Sequence, residues 1–458
     1  MVEEGSGRGG GANGGRGSAG TVGGLMNPGM TRLGEPVMRW SSRTHSIAGV
    51  QEELERIWGS ISLATPGSVP SAAAGRPGVA EGGTGGTDGT DGPAGVNPAV
   101  EERRVAARSS VMNLVVVAGR GETGERAAAV VHGLTGRHPS RTIIVTPADP
   151  DGPAWLDAQV QAHCILPSVD SPETCAELIY LTAGGESGQH LAALITPLVV
   201  HDLPVTVWWP SEPRLESSAT KDLLDMADRV LVDGAGWSGD GLDRLAQLAR
   251  LPGEFAVEIA DFGMLRQSRW REAIASSFDL PRLRPFLGAI RSLTVSYAAG
   301  DGAPRSTNVV KPIYHLAWLA SRLGMTVVEP LKASETPWGG YHGVVRSGRR
   351  HIAMALQPLE SKVTRGTTLE VVIEAGRGPH SLEVRVTGQA DGITVDTTVD
   401  AEPMPDRHYL VPRRHEADLL AETIEDAGAH PITAEALAMA AALVGKPVPG
   451  HRLGARAA

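Results

Sequence analysis

From about Val100 onward the chain alternates short β-branched runs with helical stretches, and this alternation limits the fold more than any other feature of the sequence. Strands whose connections carry helices pair in parallel, and a parallel sheet needs helices on both faces. The candidate strands are VMNLVVVA, RTIIVTP, CAELIYLTA, PVTVWWP, DRVLVDG and FAVEIADF. Helical patterns fall between them at 122–136, 188–199, 219–227 and 240–251, with another at 270–278, and SLTVSY and VVKPIYHLAWLASRLG follow. Beyond residue 325 the pattern changes. HIAMALQPL, TTLEVVIEA, HSLEVRVTG and GITVDTTVD alternate with a period of two and are joined by short turns, which predicts an antiparallel meander. Helices at 416–427 and 433–444 close the chain. The fold class expected is α/β, a mostly parallel sheet flanked by helices at 100–325, followed by a smaller α+β domain with an antiparallel meander at 326–458.

The first hundred residues differ. They hold 25 of the 57 glycines and only two aromatic residues, Trp40 and Trp58, too little apolar area to offset chain entropy. Residues 1–45 are expected to be a disordered Gly-rich tail and 59–99 a flexible Gly/Pro-rich linker roughly forty residues long. Between them, at 46–58, Ile47, Val50, Leu54, Ile57 and Trp58 form one apolar stripe on an acidic amphipathic helix that must dock on its own body or on a partner.

Composition excludes several classes of function. With 42 Lys+Arg against 52 Asp+Glu, the net charge of −10 gives no footprint for wrapping a nucleic-acid backbone. No run of 18 apolar residues is present to span a membrane. Two cysteines and no apolar leader suggest a reducing cytoplasm. Cys164 and Cys175 are expected to be packed core thiols, with a regulatory redox pair as the alternative; His163 and Glu177 beside them do not complete a metal site.

Gly119, Gly121 and Gly124 form G-x-G-x-x-G between a strand and a helix, where backbone amides could approach a pyrophosphate. Asp149, at the end of the next strand, lies 25 residues beyond Gly124 and behind Pro147, so these glycines are weak cofactor candidates and no cofactor is expected. No P-loop, H-E-x-x-H or G-x-S-x-G motif is present. PLVVHDLPVTVWWP places Trp208 and Trp209 on opposite faces at a strand exit, the end of an open α/β sheet at which ligands and partners are met. In DFGMLRQSRWREAIASSFD, Asp261 precedes Arg266, Arg269, Trp270 and Arg271; arginines at a helix start oppose the macrodipole. Either they form a salt-bridged corner with Asp261 and Glu272, or they face an acidic partner.

Together the segments ELERIW, MNLVVV, GRHPSRTIIV, TCAELIYLTAGG, PLVVHDLPVTVWWP, ADRVLVDGAGW, DFGMLRQSRWREAIASSFD and AWLASRLGM resemble the glucose-6-phosphate dehydrogenase assembly protein (OpcA) family over about 240 residues. The more specific matches are Asp202, Leu203, Pro204, Trp208 and Trp209, then Asp261, Trp270, Arg271 and Glu272. Met264 and Arg269 depart from the family pattern, which often carries Trp and Pro there. The resemblance implies a non-catalytic bacterial protein that binds glucose-6-phosphate dehydrogenase, favours its active oligomer, and so supports the oxidative pentose phosphate pathway and NADPH supply. The contact would involve Trp208, Trp209, Asp261, Arg269, Trp270 and Arg271. The alternatives are a nucleotide-binding enzyme or sensor using the Gly119 to Gly124 turn, and a redox-sensing adaptor built on Cys164 and Cys175.

Overall fold

The computed structural model describes residues 24–25, 36–63, 106–108, 110–166, 168, 173–300, 306–336, 338–425 and 431–449. Ten strands build the first sheet: β1 (Gly24–Leu25), β2 (Val37–Thr44), β3 (Ala106–Arg108), β4 (Asn113–Val117), β5 (Arg141–Pro147), β6 (Trp155–Ile165), β7 (Glu173–Gly184), β8 (Val205–Trp209), β9 (Arg229–Val232) and β10 (Glu258–Asp261). Their spatial order is β1-β2-β6-β7-β5-β4-β8-β9-β10, with β3 beside β7. From β7 to β10 every pairing along this path is parallel, while β6, β2 and β1 extend the edge in antiparallel register. Starting from β4, the chain builds outward through β5 to β7, then returns and builds the other way through β8 to β10. The order reverses between β4 and β8, the position at which doubly wound sheets open a crevice at their carboxyl ends.

Both faces of this sheet are covered, and β4 and β8 show why their sequences are continuously apolar. Leu114, Val116, Trp208 and Leu231 pack on one side with the Gly121–His132 and Glu416–Glu425 helices. Val115, Val207, Trp209 and Val232 face the other core. The N-terminal helix Ile47–Leu63 docks on that second side through Val50, Leu54 and Ile57, all buried. Its Trp58 donates its indole N–H to Glu177 of β7, and Glu177 also accepts from Arg141 of β5, its cross-strand neighbour. The helix therefore docks on its own body and runs five residues past the expected end at 58.

The second sheet has nine strands: β11 (Ile290–Ala298), β12 (Thr326–Ala333), β13 (Tyr341–Ser347), β14 (Arg350–Leu359), β15 (Thr368–Arg377), β16 (His380–Gly388), β17 (Gly392–Val399), β18 (Glu402–Pro403) and β19 (Arg407–Leu410). Its order is β12-β13-β14-β11-β15-β16-β17-β18, with β19 beside β17, and only β11–β14 is parallel. Leu293, Val295, Met354, Leu356, Ile373 and Val384 point to one side, toward the buried Val310–Arg322 helix.

Three expectations about organisation are corrected. SLTVSY does not close the first unit; as β11 it is central in the second sheet, so the change of sheet comes between 261 and 290 and not at 325. Residues 37–44 are not tail: Val37, Met38 and Trp40 to Thr44 pair with β6, which gives Trp40 a core to enter. Residues 1–23 and 26–35 of the expected tail, and 64–99 of the expected linker, lie outside the described residues. The two last helices return to the first unit: Glu416–Glu425 meets the Gly121–His132 helix, and Pro431–Leu443, packed along Val310–Arg322, also reaches the Leu242–Leu248 helix and β10.

Candidate functional site

Asp261 ends β10 with its side chain wholly buried. Its Oδ1 accepts from Gly263 N at 2.7 Å and Gly234 N at 3.0 Å, and its Oδ2 accepts from Tyr314 Oη at 2.8 Å. Burial, reinforced by the nearby Asp233 charge, pushes its carboxyl up to about 6 against those three hydrogen bonds. The expectation that Asp261 meets a partner is thus corrected: it positions the β9 and β10 loops against the Val310–Arg322 helix. It pairs with none of the arginines that follow it either. Arg266 pairs with Asp233 at 2.7 Å, Arg269 with Glu272 at 2.7 Å on the helix surface, and Arg271 donates to the Met264 carbonyl at 2.7 Å.

Trp208 and Trp209 are corrected in the same way. Their relative exposures are 1% and 3%, and they enter the two opposite cores of the first sheet because both faces of β8 are covered. Of the six expected contact residues, Arg269 is exposed, and Trp270 and Arg271 are half-buried. Burial, with Arg414 close by, draws the Arg271 guanidinium down to about 10, although Glu422 opposes this. Trp270 packs its ring 5.3 Å from His315, and a Cβ on Gly388 would lie 3.1 Å from its Cζ2. His315 is fully buried with no hydrogen-bond partner at either ring nitrogen among the described residues, and burial followed by the Arg271 and Lys311 charges lowers it to about 3.

Arg266 and Trp270 also line a cleft of about 1110 Å³ between the two sheets, which the sequence did not reveal. Arg126 comes to it from the Gly121–His132 helix, and Arg413, Arg414 and His415 come from the segment before the Glu416–Glu425 helix. Only the side-by-side RRH at 413–415 gave a local signal, because the chain separates it from Arg126 by 287 residues.

Gly119 and Gly121 lie at the carboxyl end of β4, at the reversal of strand order, and are exposed. A Cβ on Gly121 would meet nothing within 4 Å, whereas one on Gly124 would lie 3.2 Å from Ile144 Cγ2, so the third glycine is needed for helix-to-strand packing. Asp149 is tied into its own turn by an acceptor bond from Asp151 N. Cys164 and Cys175 are not free thiols. They face each other across β6 and β7 as a disulfide, and both are fully buried. Adjacent antiparallel strands supply that pairing, and β6 was not anticipated. Among the described residues, no group of three or more His, Cys, Asp or Glu could hold a metal ion.

Two family models match in tandem, the glucose-6-phosphate dehydrogenase subunit N-terminal domain over 131–250 and the C-terminal domain of the same subunit over 257–437. The chain belongs to the OpcA glucose-6-phosphate dehydrogenase assembly family. A putative OxPP cycle protein OpcA from Synechocystis is 30% identical over 198 residues, 43% of this chain and 39% of the relative. Another from Nostoc punctiforme is 29% identical, covering 43% of this chain and 41% of its own length. The aligned stretch thus spans two fifths of these relatives. Among solved structures, the WlbA dehydrogenase of Thermus thermophilus aligns with TM-score 0.39 and 13% identity, covering 74% of this chain and 97% of its own. Gal80p of Kluyveromyces lactis gives TM-score 0.40 and 10% identity, covering 74% and 92%. No helix of the described residues is long and apolar enough to cross a membrane.

Proposed function

We propose that this protein is a non-catalytic assembly factor and allosteric activator that binds glucose-6-phosphate dehydrogenase in the cytoplasm and favours its active oligomer. The observation that carries this reading is the tandem match of both subunit-domain models, which together run from 131 to 437. Such a factor acts only by binding the active state more tightly than the inactive one, about 1.4 kcal/mol for each tenfold shift. The contact is centred on Arg269 and the exposed parts of Trp270 and Arg271, since Trp and Arg anchors dominate interface energies. Among the described residues Arg269 pairs only with its helical neighbour Glu272, so charge reversal there leaves the fold intact. Arg269→Glu is expected to weaken pull-down and activation of the purified dehydrogenase about tenfold with an unchanged melting temperature. Binding and activation equal to the parent's would remove this surface, and turnover of glucose 6-phosphate by the protein alone would remove the non-catalytic reading.

A second reading, nucleotide binding, is favoured by one observation: the glycine turn stands at the strand-order reversal of a doubly wound sheet. Because Gly121 faces open space, Gly121→Ala probes it without disturbing packing. Micromolar NADP or NAD binding that this variant abolishes would establish the nucleotide reading.

A further inference from the structure

The cleft between the two sheets has no assigned role, and its wall is unlike the rest of the molecule. The chain carries a net charge of −10, yet four arginines and a histidine converge on this cleft, where among the described residues Glu416 is the single lining carboxylate and no lysine contributes. Guanidinium groups present planar forks that match phosphoryl oxygens, whereas ammonium groups act as point charges. The arginines come from three separate places in the sequence, so no single helix face explains their meeting.

Local stability does not explain them either. Arg413, Arg414 and His415 immediately precede the Glu416–Glu425 helix, where the macrodipole is already positive and cations are disfavoured. Several donors are left over after the internal contacts are satisfied. Arg413 is exposed and has no partner among the described residues. Arg266 directs only one terminal nitrogen, Nη1, to Asp233. Arg126 gives Nη2 to the Pro210 carbonyl at 3.2 Å and stands 3.7 Å from Glu416. The apolar part of the wall includes Trp270, Val363 and Ile393. Its volume lies just above the range of about 300–1,000 Å³ typical of small-molecule sites.

We infer that this cleft binds a small phosphorylated metabolite, its phosphoryl group held by Arg126, Arg266 and Arg413, since Arg414 is already committed to Glu422 and the Leu265 carbonyl, and its organic part resting against Trp270. A concave, cationic, partly apolar pocket fits a compact ligand better than an extended acidic chain, which needs a groove open at both ends. The inference concerns the chain alone and does not rest on its binding a dehydrogenase.

Titration calorimetry on the full chain tests it with three probes: inorganic pyrophosphate, a hexose 6-phosphate and adenosine diphosphate. At least one is expected to bind at a single site with affinity that falls as salt rises, and the pattern among the three distinguishes a bare phosphate from a sugar or nucleotide ester. Arg413→Glu, which breaks no internal contact, is expected to weaken that probe by about tenfold or more, with Arg413→Lys intermediate. Absence of binding by all three at about 10 mM would overturn the inference. So would binding that Arg413→Glu and Arg126→Gln each leave within about twofold, or binding of a poly-glutamate peptide in the absence of phosphate binding.

Discussion

Each of the two sheets carries an Arg–Glu pair on neighbouring strands, and the two pairs live in different worlds. In the first sheet Arg141 and Glu177 sit directly across β5 and β7 with side-chain exposures of 9% and 0%. In the second, Arg385 of β16 reaches Glu370 and Glu383 on the open face, with exposures of 41%, 22% and 39%. The chemistry is the same and the surroundings are opposite. At the centre of a parallel sheet covered on both faces a charge is desolvated, so the first pair depends on its remaining groups also being satisfied: Arg141 donates to the Leu198 carbonyl at 2.7 Å and Glu177 accepts from Trp58. The second pair stays solvated and needs no such support. The first pair also shows how the N-terminal helix is held, since Trp58 reaches the sheet through the same carboxylate.

Breaking the buried pair is the largest effect the comparison predicts. Glu177→Ala leaves the Arg141 guanidinium buried without a counter-charge and removes the acceptor for Trp58, at a cost of about 3–5 kcal/mol in urea unfolding. Arg141→Met with Glu177→Leu should recover most of that loss, because an apolar pair carries no desolvation penalty. If Glu177→Ala instead cost less than about 1 kcal/mol, the pair would have to be water-accessible and the contrast between the sheets would fail.

The next effect is electrostatic and concerns a single buried charge with no arginine partner. Asp261 has a folded value near 6 against an ordinary 3.8. Its folded value is raised, so its contribution to stability is fully present below about pH 4 and is lost as pH rises through about 6, a total of about 3 kcal/mol. Asp261→Asn keeps an acceptor for Gly234 and Gly263 and does not ionise. Its melting temperature relative to the parent should therefore rise between pH 4 and pH 7. Taking the difference between the two proteins removes the opposite trend from His315, whose depressed value costs stability as pH falls below 6.5. A difference that stays flat across this range would mean that Asp261 titrates like a surface carboxylate.

The same contrast explains what could be read from the sequence. The strands of the first sheet from β4 outward were legible because burial on both faces leaves runs such as NLVVV, and the meander was legible because one open face leaves HSLEVRVTG alternating. β6 was not, since WLDAQVQAHCI mixes Asp, Gln and His into an antiparallel strand near the edge, and the cross-strand disulfide was hidden with it. β2 was obscured by the glycine around it. SLTVSY looked like its predecessors because local pattern carries no record of which sheet a strand joins. The site divided along similar lines. Spacing found the Asp261 to Glu272 segment but could not tell inward from outward, so Asp261, Trp208 and Trp209 turned out to be interior, and the basic cleft depends on contacts between residues hundreds of positions apart.

The smallest predicted effect tests the open face itself. Arg385→Ala removes both ion pairs on β16 yet should cost only about 0–1 kcal/mol, because water replaces what the carboxylates lose and the long side chain regains rotamer freedom. Raising salt should shrink even that difference, since exposed pairs are screened within about 10 Å at 0.1 M. Glu370 and Glu383 would then lose the counter-charge they share, but both remain solvated enough to bear it. A loss above about 2 kcal/mol that salt does not change could not come from a solvated pair. It would mean that this face of the second sheet is covered in solution, by a second copy or by another protein, and that the asymmetry between the two sheets belongs to the isolated chain and not to the working assembly.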